Sequence, residues 1–594
     1  MEKRLRALRQ ELRKHKLSGF IVPHTDEHQS EYTPSYAERL AWISGFDGSA
    51  GLAAITLNQA AIFVDGRYTL QVRNQVDRTL FSIMKLHEDQ TEDWFLENLE
   101  EGAVIGYDPW LHSKIWLEKA RNTLAAKNIT LNALSKNPID EIWQDRPAPS
   151  NALAQVYKLR YSGEKSSLKR KRIASQIKAK GADALVITSL DSIAWLFNIR
   201  GSDVDMTPLV LSFAILYSTG SADLFIDPTK LDEDVISHLG KYVAHYPKKD
   251  FLKAVKSLGQ KGLSIMIDPK RAHAAVFEAL NTAKKKVIEA DDPIQLDKAC
   301  KNDVELEGTK KAHIRDAVAV CRFLCWLDQY APTGKITEID AVNELYDLRK
   351  EVSLFQGNSF ATISGAGPNG AIVHYKVTEN TCRKLEKDMI YLVDSGGQYL
   401  DGTTDITRTI AIGTPTEQQK DHFTRVLKGH IALAQARFPL GRTGAHLDTL
   451  ARKSLWDVGL DYEHGTGHGV GSYLGVHEGP QSISPLSFNV ALKPGMILSN
   501  EPGYYKTGEY GIRIENLVIV RSSDFEEDER PMLRFETITL VPIDIRLVNA
   551  HMMSAAEITW LNIYHAKVRE KIAPLLEGAE KEWLINATNS ITTL

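Results

Sequence analysis

The spacing of apolar side chains predicts that two stretches of the chain fold alike. Each stretch has apolar positions at helical intervals, then a short apolar run typical of a buried strand, then a second helical pattern containing Ala-Trp. The copies consist of the segments 5–12, 18–23 and 40–45 in the first, and 168–180, 183–188 and 193–197 in the second. Because one order of helix and strand recurs, we predict two related α/β domains.

The pattern changes in the C-terminal half of the chain. Apolar positions between 317 and 327 lie on one face of a helix predicted from about 302 to 330. Beyond Ser359, short apolar strands alternate with glycine-rich turns, and helical spacing returns between 416 and 458 and again from 555 to 575. This mixture of elements predicts an α+β domain.

Three domains follow from these changes in pattern. A proline-containing stretch at 145–150 separates a first α/β domain, 1–150, from a second, 151–297. A segment of mixed charge precedes the long helix and marks the start of the α+β domain, 298–594.

Composition and charge narrow the possible functions. The 594 residues are 43% hydrophobic and 25% charged, and 72 basic against 76 acidic side chains leave a formal charge of -4. This balance argues against nucleic acid as a partner, and the apolar runs are too short for a membrane span. Four cysteines without a disulfide-like spacing fit a reducing compartment. We therefore expect a cytoplasmic protein whose function depends on a local site.

The first candidate site is a predicted hairpin between 390 and 410. An apolar strand enters, Gly396 and Gly397 form the turn, and a threonine-rich strand leaves, which places Asp394 beside Asp405. Two adjacent carboxylates repel each other unless they share a proton or a cation. Aspartates that cap a glycine turn would give the same residues, so this segment alone leaves both interpretations open.

Asp394 also begins an Asp-Ser-Gly tripeptide, which is a signature of aspartic proteases. Those enzymes need two such loops to build their pair of carboxylates. The chain has no second Asp-Ser-Gly or Asp-Thr-Gly, which argues against this class.

The second candidate is the glycine-rich loop 464–472, His-Gly-Thr-Gly-His-Gly-Val-Gly-Ser. It does not match the phosphate-binding pattern GxGxxG, because Val470 and Ser472 stand where the third glycine would fall. Alternating glycines allow a close approach of the backbone, from which His464 and His468 project. Histidine is the commonest metal ligand among nitrogen donors, although a structural role for either ring stays open.

Further charged residues occur downstream of this loop. Glu501 follows an apolar run and begins the turn sequence Glu-Pro-Gly. Arg513 and Glu515 alternate with apolar residues in a predicted strand, so both charges share one face. A solvated edge strand would carry such charges too, and this segment alone does not decide between the two.

Together these segments supply a ligand set rich in oxygen. Carboxylates with a single imidazole suit Mn(II), Co(II), Fe(II) or Zn(II). Four carboxylates carry more negative charge than one divalent ion needs, which favours two ions with bridging ligands. The predicted metal ligands are Asp394, Asp405, His468, Glu501 and Glu515.

The order of these motifs resembles the pita-bread metallopeptidases, a family that includes methionine aminopeptidase, proline dipeptidase, creatinase and aminopeptidase P. The segments 28–32, 44–51 and 195–203 further resemble the long, three-domain cytosolic type of aminopeptidase P. The resemblance implies two creatinase-like α/β N-terminal domains followed by a pita-bread α+β catalytic domain with a C-terminal helical extension.

The resemblance also implies a role for each matching ligand. Asp394 resembles the ligand of one metal ion, whereas Asp405 and Glu515 resemble carboxylates that bridge both ions. His468 and Glu501 resemble the remaining ligands of the other ion, and Glu501 is in addition a candidate proton acceptor.

Three histidines and one arginine match residues that surround the ligands in the family. His374, His464 and His477 resemble residues that bind the peptide, and His374 and His477 are also expected to be catalytic. Arg513 resembles a residue that orients a ligand carboxylate.

The implied activity is hydrolysis of the N-terminal Xaa-Pro bond of peptides by a hydroxide that bridges two divalent ions, typically Mn(II), in a homodimer. A proline dipeptidase would share every ligand and stays an alternative. A creatinase-like amidinohydrolase works without metal, and a non-catalytic peptide-binding relative would have lost ligands. The complete ligand set argues against both of these.

Overall fold

The computed structural model describes residues 1–523, 525 and 529–592, and the chain divides into two compact units, Met1–Gln295 and Leu296–Leu594. The two predicted boundaries between the three domains stay a prediction. Within the described residues, no helix has both the length and the apolar character that a membrane crossing requires.

The first unit contains two six-stranded mixed sheets. The first sheet has the strand order β4-β3-β2-β1-β5-β6. Its strands are β1 Gly19–Pro23, β2 Gly51–Thr56, β3 Ala60–Val64, β4 Ser82–Lys85, β5 Val104–Tyr107 and β6 Thr130–Ala133. Its helices are α1 Glu2–Lys14, α2 Arg39–Ser44, α3 Gln71–Gln75, α4 Thr91–Asn98, α5 Lys114–Leu124 and α6 Pro138–Ile142.

The second sheet has the order β12-β11-β10-β8-β13-β14. Strands in this part of the chain are β7 Gln155–Val156, β8 Ala184–Ile187, β9 Ile199–Arg200, β10 Ser212–Tyr217, β11 Ala222–Ile226, β12 Val243–Tyr246, β13 Ile265–Ile267 and β14 Ile288–Glu289. The helices are α7 Leu159–Ser162, α8 Ser166–Ala179, α9 Leu190–Phe197, α10 Glu233–Leu239, α11 Phe251–Gln260, α12 Ala274–Ala279 and α13 Pro293–Ala299.

The two sheets share one topology, strand for strand. In each, the first strand pairs antiparallel with the second and parallel with the fifth, and the third pairs parallel with the fourth. Leucines at helical spacing in α1 are fully buried against the first sheet, as the sequence pattern requires. The predicted internal repeat of two α/β folds is therefore confirmed.

The second unit is built from long helices and short antiparallel strands. Its helices are α14 Asp303–Tyr330, α15 Glu338–Lys350, α16 Glu417–Ala434, α17 Ala445–Trp456, α18 Ala555–Ile572 and α19 Gly578–Ala587. Its strands are β15 Phe355–Asn358, β16 Ile363–Ala366, β17 Met389–Ser395, β18 Gly397–Tyr399, β19 Gly402–Thr403, β20 Ile406–Ile412, β21 Arg437–Pro439, β22 Gly467–His468, β23 Ser482–Ile483, β24 Ile497–Asn500, β25 Gly503–Lys506, β26 Tyr510–Arg513, β27 Asn516–Ser522 and β28 Met532–Thr537. The predicted α+β character is confirmed.

The antiparallel sheets place the candidate residues at strand ends. A three-stranded sheet, β16-β17-β20, and a four-stranded sheet, β21-β28-β27-β24, supply the main supports. The long helix α14 is preceded by its capping residue Asn302, whose side chain accepts from two backbone N–H groups, while the Glu305 side chain accepts from the Asn302 backbone N–H. This capping box explains why the helix starts where the sequence predicted it.

Two local predictions were wrong. Gly396 and Gly397 do not form the turn, because Gly397 begins β18, which pairs with β19, and the chain reverses at 400–401. Gly396 instead allows close packing, since a Cβ there would lie 2.1 Å from the Thr404 carbonyl oxygen. Glu515 does not lie within a strand, but in the break between β26 and β27.

Candidate metal centre

The strand ends of the second unit bring the five predicted ligands into one cluster. Asp394 lies near the end of β17. Asp405 directly precedes β20, the strand that pairs antiparallel with β17. His468 ends β22, Glu501 follows β24, and Glu515 lies between β26 and β27. Side chains at strand ends can converge in this way because the flanking sheets fix the backbone that carries them.

Three of these side chains are close enough to share an ion. One ligand atom each of Asp405, His468 and Glu515 lies within 4.8 Å of the others. His468 Nε2 is 3.4 Å from Asp405 Oδ2 and 3.3 Å from Glu501 Oε1. The imidazole nitrogen therefore points into a set of carboxylates, as a metal ligand would.

Burial and mutual repulsion disfavour the ionised form of the carboxyl groups in this cluster. Burial raises the pKa of the Asp394 carboxyl to about 6, although Arg513 opposes the rise. Burial, followed by the charges of Asp405 and Glu501, raises the pKa of Glu515 well above its usual value. Burial would lower the pKa of His468, but the adjacent carboxylates outweigh it and raise that pKa to about 9. A positive charge is therefore favoured among these residues.

The donor atoms fit divalent ions. Asp394 Oδ1 and Glu515 Oε1 are buried and have no hydrogen-bond partner among the described residues. A buried carboxylate oxygen without a partner is costly unless a cation neutralises it. Four carboxylates and one imidazole form the mixed oxygen and nitrogen set that Mn(II), Fe(II), Co(II) and Zn(II) accept.

Arg513 holds one of the carboxylates in place. Its guanidinium is almost fully buried and donates from Nη2 to Asp394 Oδ2 at 2.7 Å. It also donates from Nη1 to Tyr505 Oη at 2.5 Å and from Nε to Thr407 Oγ1 at 3.1 Å. The arginine thereby fixes Asp394 from behind while the other carboxylate oxygen stays available.

Sequence reasoning missed three hydroxyl groups that orient the cluster. Thr407 Oγ1 donates to Glu515 Oε2 at 2.8 Å, and Ser499 Oγ donates to Glu501 Oε1 at 3.0 Å. Tyr505 Oη shares a 2.8 Å hydrogen bond with His464 Nε2 in addition to its contact with Arg513. Alternation within strands places the first two beside ligands, but it does not say which carboxylate they reach.

The three predicted substrate-side histidines have different surroundings. The His477 ring packs edge-on against the His468 ring, with centroids 4.3 Å apart. His464 contacts the cluster through the hydroxyl of Tyr505, which also accepts from Arg513. His374 follows Val373, whose carbonyl oxygen accepts from Arg513 at 3.3 Å, so its segment borders the site.

The glycine-rich loop brings these histidines close to the carboxylates. A Cβ on Gly469 would lie 2.0 Å from the carbonyl oxygen of Glu478. The Glu478 N–H donates to the Gly469 carbonyl at 2.7 Å across the same contact. The glycine therefore allows the segment with His477 to lie directly against the segment with His468.

The metal-free protein is expected to lose stability as the pH rises. Asp394 has a folded pKa of about 6 against 3.8 when unfolded, so its ionisation costs stability over that interval. His468, with a folded pKa of about 9 against 6.5, contributes stability that is full below pH 6.5 and lost as the pH passes 9. Urea unfolding of EDTA-treated protein should therefore show a decrease of about 5 kcal/mol in the free energy of unfolding between about pH 5 and 9, at ~1.4 kcal/mol for each pKa unit in this interval.

Divalent metal should reverse this trend, because metal binding requires deprotonated ligands. In metal-free protein, His468→Gln should reduce the loss of unfolding free energy between about pH 6.5 and 9. Stability that stays constant or rises with pH in the metal-free wild type would contradict the electrostatic account.

Fold and site together define the class of a metallopeptidase. Residues 307–522 match the model of metallopeptidase family M24, and residues 531–591 match the C-terminal region of that peptidase. Residues 4–137 and 145–305 each match a creatinase/prolidase N-terminal domain. The predicted combination of two creatinase-like domains and a pita-bread domain is thereby confirmed.

Full-length relatives narrow the class to one family. The chain is 40% identical to aminopeptidase P1 of Arabidopsis thaliana over 97% of each protein. It is 42% identical to a probable Xaa-Pro aminopeptidase P of Laccaria bicolor over 98% of this chain and 92% of the relative. The chain therefore belongs to the aminopeptidase P family of M24 metallopeptidases.

A solved structure extends the likeness to the whole fold. X-prolyl aminopeptidase from Caenorhabditis elegans, described as a cytosolic enzyme with a di-nuclear active site, superposes with a TM-score of 0.95. The two chains are 35% identical, and 99% of each is covered. The Xaa-Pro dipeptidase of Bacillus anthracis, at a TM-score of 0.52 and 24% identity, covers 64% of the chain and shares the fold alone.

Proposed function

We propose that the protein is a metallo-aminopeptidase that hydrolyses the N-terminal Xaa-Pro bond of peptides. The observation that carries the proposal is the cluster of four largely buried carboxylates and His468 in a chain that aligns almost end to end with aminopeptidases P and X-prolyl aminopeptidase. The proline dipeptidase alternative is not favoured, since the relatives that match the chain almost end to end are named as aminopeptidases P or X-prolyl aminopeptidases.

The five ligands would hold two divalent ions, for which we propose Mn(II). Asp405 and Glu515 would contact both ions, Asp394 one of them, and His468 with Glu501 the other. Bound ions would supply a nucleophilic water at neutral pH and polarise the scissile carbonyl. The oxygen-rich ligand set supports manganese over metals that prefer sulfur ligands.

The chain's own residues would handle the proton and the peptide. Burial raises the pKa of the Glu501 carboxyl, although His468 opposes the rise, and a raised pKa suits a group that accepts a proton near neutral pH. His477, beside His468, would donate a hydrogen bond to the substrate carbonyl. His374 and His464 would bind the peptide.

Substrate and assembly complete the proposal. The substrates would be peptides with proline at position two, cleaved in the cytoplasm by a homodimer without nucleic acid or membrane as a partner. The near-neutral charge of -4 supports a partner that is not nucleic acid. Analytical ultracentrifugation would test the dimer.

Removing the metal is expected to abolish the activity reversibly. EDTA-treated and desalted protein should release no amino acid above background from an Xaa-Pro-Yaa tripeptide, and added Mn(II) should restore the release. Elemental analysis of the reloaded protein should give about two ions per chain, as the four carboxylates require. Hydrolysis of Xaa-Pro dipeptides but not of tripeptides would instead favour the dipeptidase, and full activity after metal removal would reject the metallopeptidase.

A further inference from the structure

A buried cluster of three charges lies behind the segment that carries His477. Lys298 Nζ is 2.7 Å from Glu478 Oε2, and Lys301 Nζ forms an ion pair with Glu478 Oε1. All three side chains are about 1% exposed. Each oxygen of the carboxylate thus faces its own ammonium group, and the Lys301 contact is in addition a charge-assisted hydrogen bond, so the carboxylate is held between two cations.

Stability alone does not explain such a cluster. Three charges taken out of water lose their hydration, and well-packed apolar side chains in their place are often equally stable or more so. Lys298 lies near the end of α13 and Lys301 lies between α13 and α14, far from Glu478 in sequence. The cluster therefore connects the start of the catalytic unit to one particular loop.

That loop delivers a residue of the candidate site. Glu478 directly follows His477, whose ring contacts the ring of the predicted ligand His468. The backbone of Glu478 bonds to Gly469, the residue after His468, at 2.7 Å. At the other end of the loop, the Leu474 carbonyl accepts from Gln398 Nε2 at 2.7 Å.

These contacts hold the loop before and after His477. Among the loop residues that make them, Glu478 is the nearest to His477 in sequence. We propose that Glu478 is a positioning residue for His477, and that Lys298 and Lys301 act through it. The proposal rests on the Xaa-Pro aminopeptidase function proposed above, in which His477 contacts the substrate carbonyl.

Glu478→Gln tests the proposal with almost no change in volume. The variant should lower kcat on an Xaa-Pro-Yaa peptide about tenfold to a hundredfold, as loss of a residue that orients an active-site ligand does. KM should change less than about threefold, since substrate binding uses other residues as well. Metal content should equal that of the wild type.

A double-mutant cycle separates positioning from general destabilisation. If Glu478 acts through His477, then Glu478→Gln should cause no further loss of kcat in a His477→Asn background. An equal loss in both backgrounds would overturn the proposal. So would an unchanged kcat in the single variant.

Variants of the two lysines test whether Lys298 and Lys301 act through Glu478, and a lysine elsewhere in the unit serves as the matched control. Lys298→Met and Lys301→Met should each reproduce part of the kcat loss, which keeps the test available if Glu478→Gln fails to fold. Lys428, which pairs with Glu557 at 2.7 Å in the same unit, provides the control. Lys428→Met should leave kcat within about twofold of the wild type, as expected for a part-exposed pair away from the site.

A structural measurement distinguishes failure of this proposal from failure of the proposed function. Crystals of wild-type protein and of Glu478→Gln or Lys298→Met should show the His477 ring displaced in the variants. If the wild type hydrolyses no Xaa-Pro-Yaa peptide, the function is rejected and the crystals still test the positioning. If the peptide is hydrolysed and the ring stays in place, the positioning is rejected.

Discussion

Asp405→Asn is expected to lower kcat/KM on an Xaa-Pro-Yaa peptide by about a thousandfold or more, a loss of roughly 4 kcal/mol of transition-state stabilisation. Asp405 lies at the centre of the cluster, within 4.8 Å of His468 and Glu515 at its ligand atoms. The amide keeps the shape of the side chain but removes the charge that a bridging ligand needs. Steady-state kinetics with saturating Mn(II), together with elemental analysis, would measure both consequences.

The fold should survive this change. The carboxylate lies among other carboxylates, so its loss removes repulsion as well as the attraction to His468. Metal-free Asp405→Asn should therefore unfold within about 1 kcal/mol of the metal-free wild type. Asp421→Asn, at an ion pair with Arg425 on α16, is the control and should keep full activity. Retained activity in Asp405→Asn would remove Asp405 from the site.

Arg513→Met is expected to destabilise the second unit by about 3–5 kcal/mol, because it leaves Asp394 buried without its cation. The guanidinium also donates to Tyr505 and Thr407, and both groups would lose a partner. Urea unfolding of metal-free protein would measure the loss, and Mn(II) affinity should fall along with it because Asp394 is no longer oriented.

Two variants sharpen this prediction. Arg521→Met removes a part-exposed arginine that pairs with Glu536 on the neighbouring strand, and it should cost about 0–1 kcal/mol. Arg513→Lys should recover only part of the loss, because an ammonium group cannot reproduce the planar set of donors. Equal effects of Arg513→Met and Arg521→Met would contradict the role given to Arg513.

The fold was predictable where the signal is local. Apolar spacing identified α1 and α14, and Asn302 with Glu305 marks the start of the long helix by chemistry within one turn. The repeated order of helix and strand predicted two sheets of one topology. The turn at Gly396 was mispredicted because glycine serves equally for a reversal of the chain and for close packing, and only the tertiary structure decides which.

The candidate site was predictable as a set of residue types, and its supports were not. Carboxylates and histidines in turn sequences can be identified as candidates, since a charged side chain that is buried requires a partner of opposite charge. Tyr505, Thr407 and Lys298 are ordinary residues in the sequence, and their importance arises from partners that lie far away along the chain. Such pairings depend on how the sheets meet, which single-sequence patterns do not encode.

The placement of the ligands at strand ends has a consequence for the order of events during folding. Asp394 and Asp405 come together with one local strand pair, but Glu501 and Glu515 lie far along the chain, beyond α16 and α17, at the ends of other strands. Loops that close over such long separations form late, so an unfolded or half-folded chain offers no cage for ions. We therefore expect that metal does not nucleate the fold. Metal should leave the folding rate unchanged and lower the unfolding rate. Metal binding would then increase the lifetime of the folded catalytic unit.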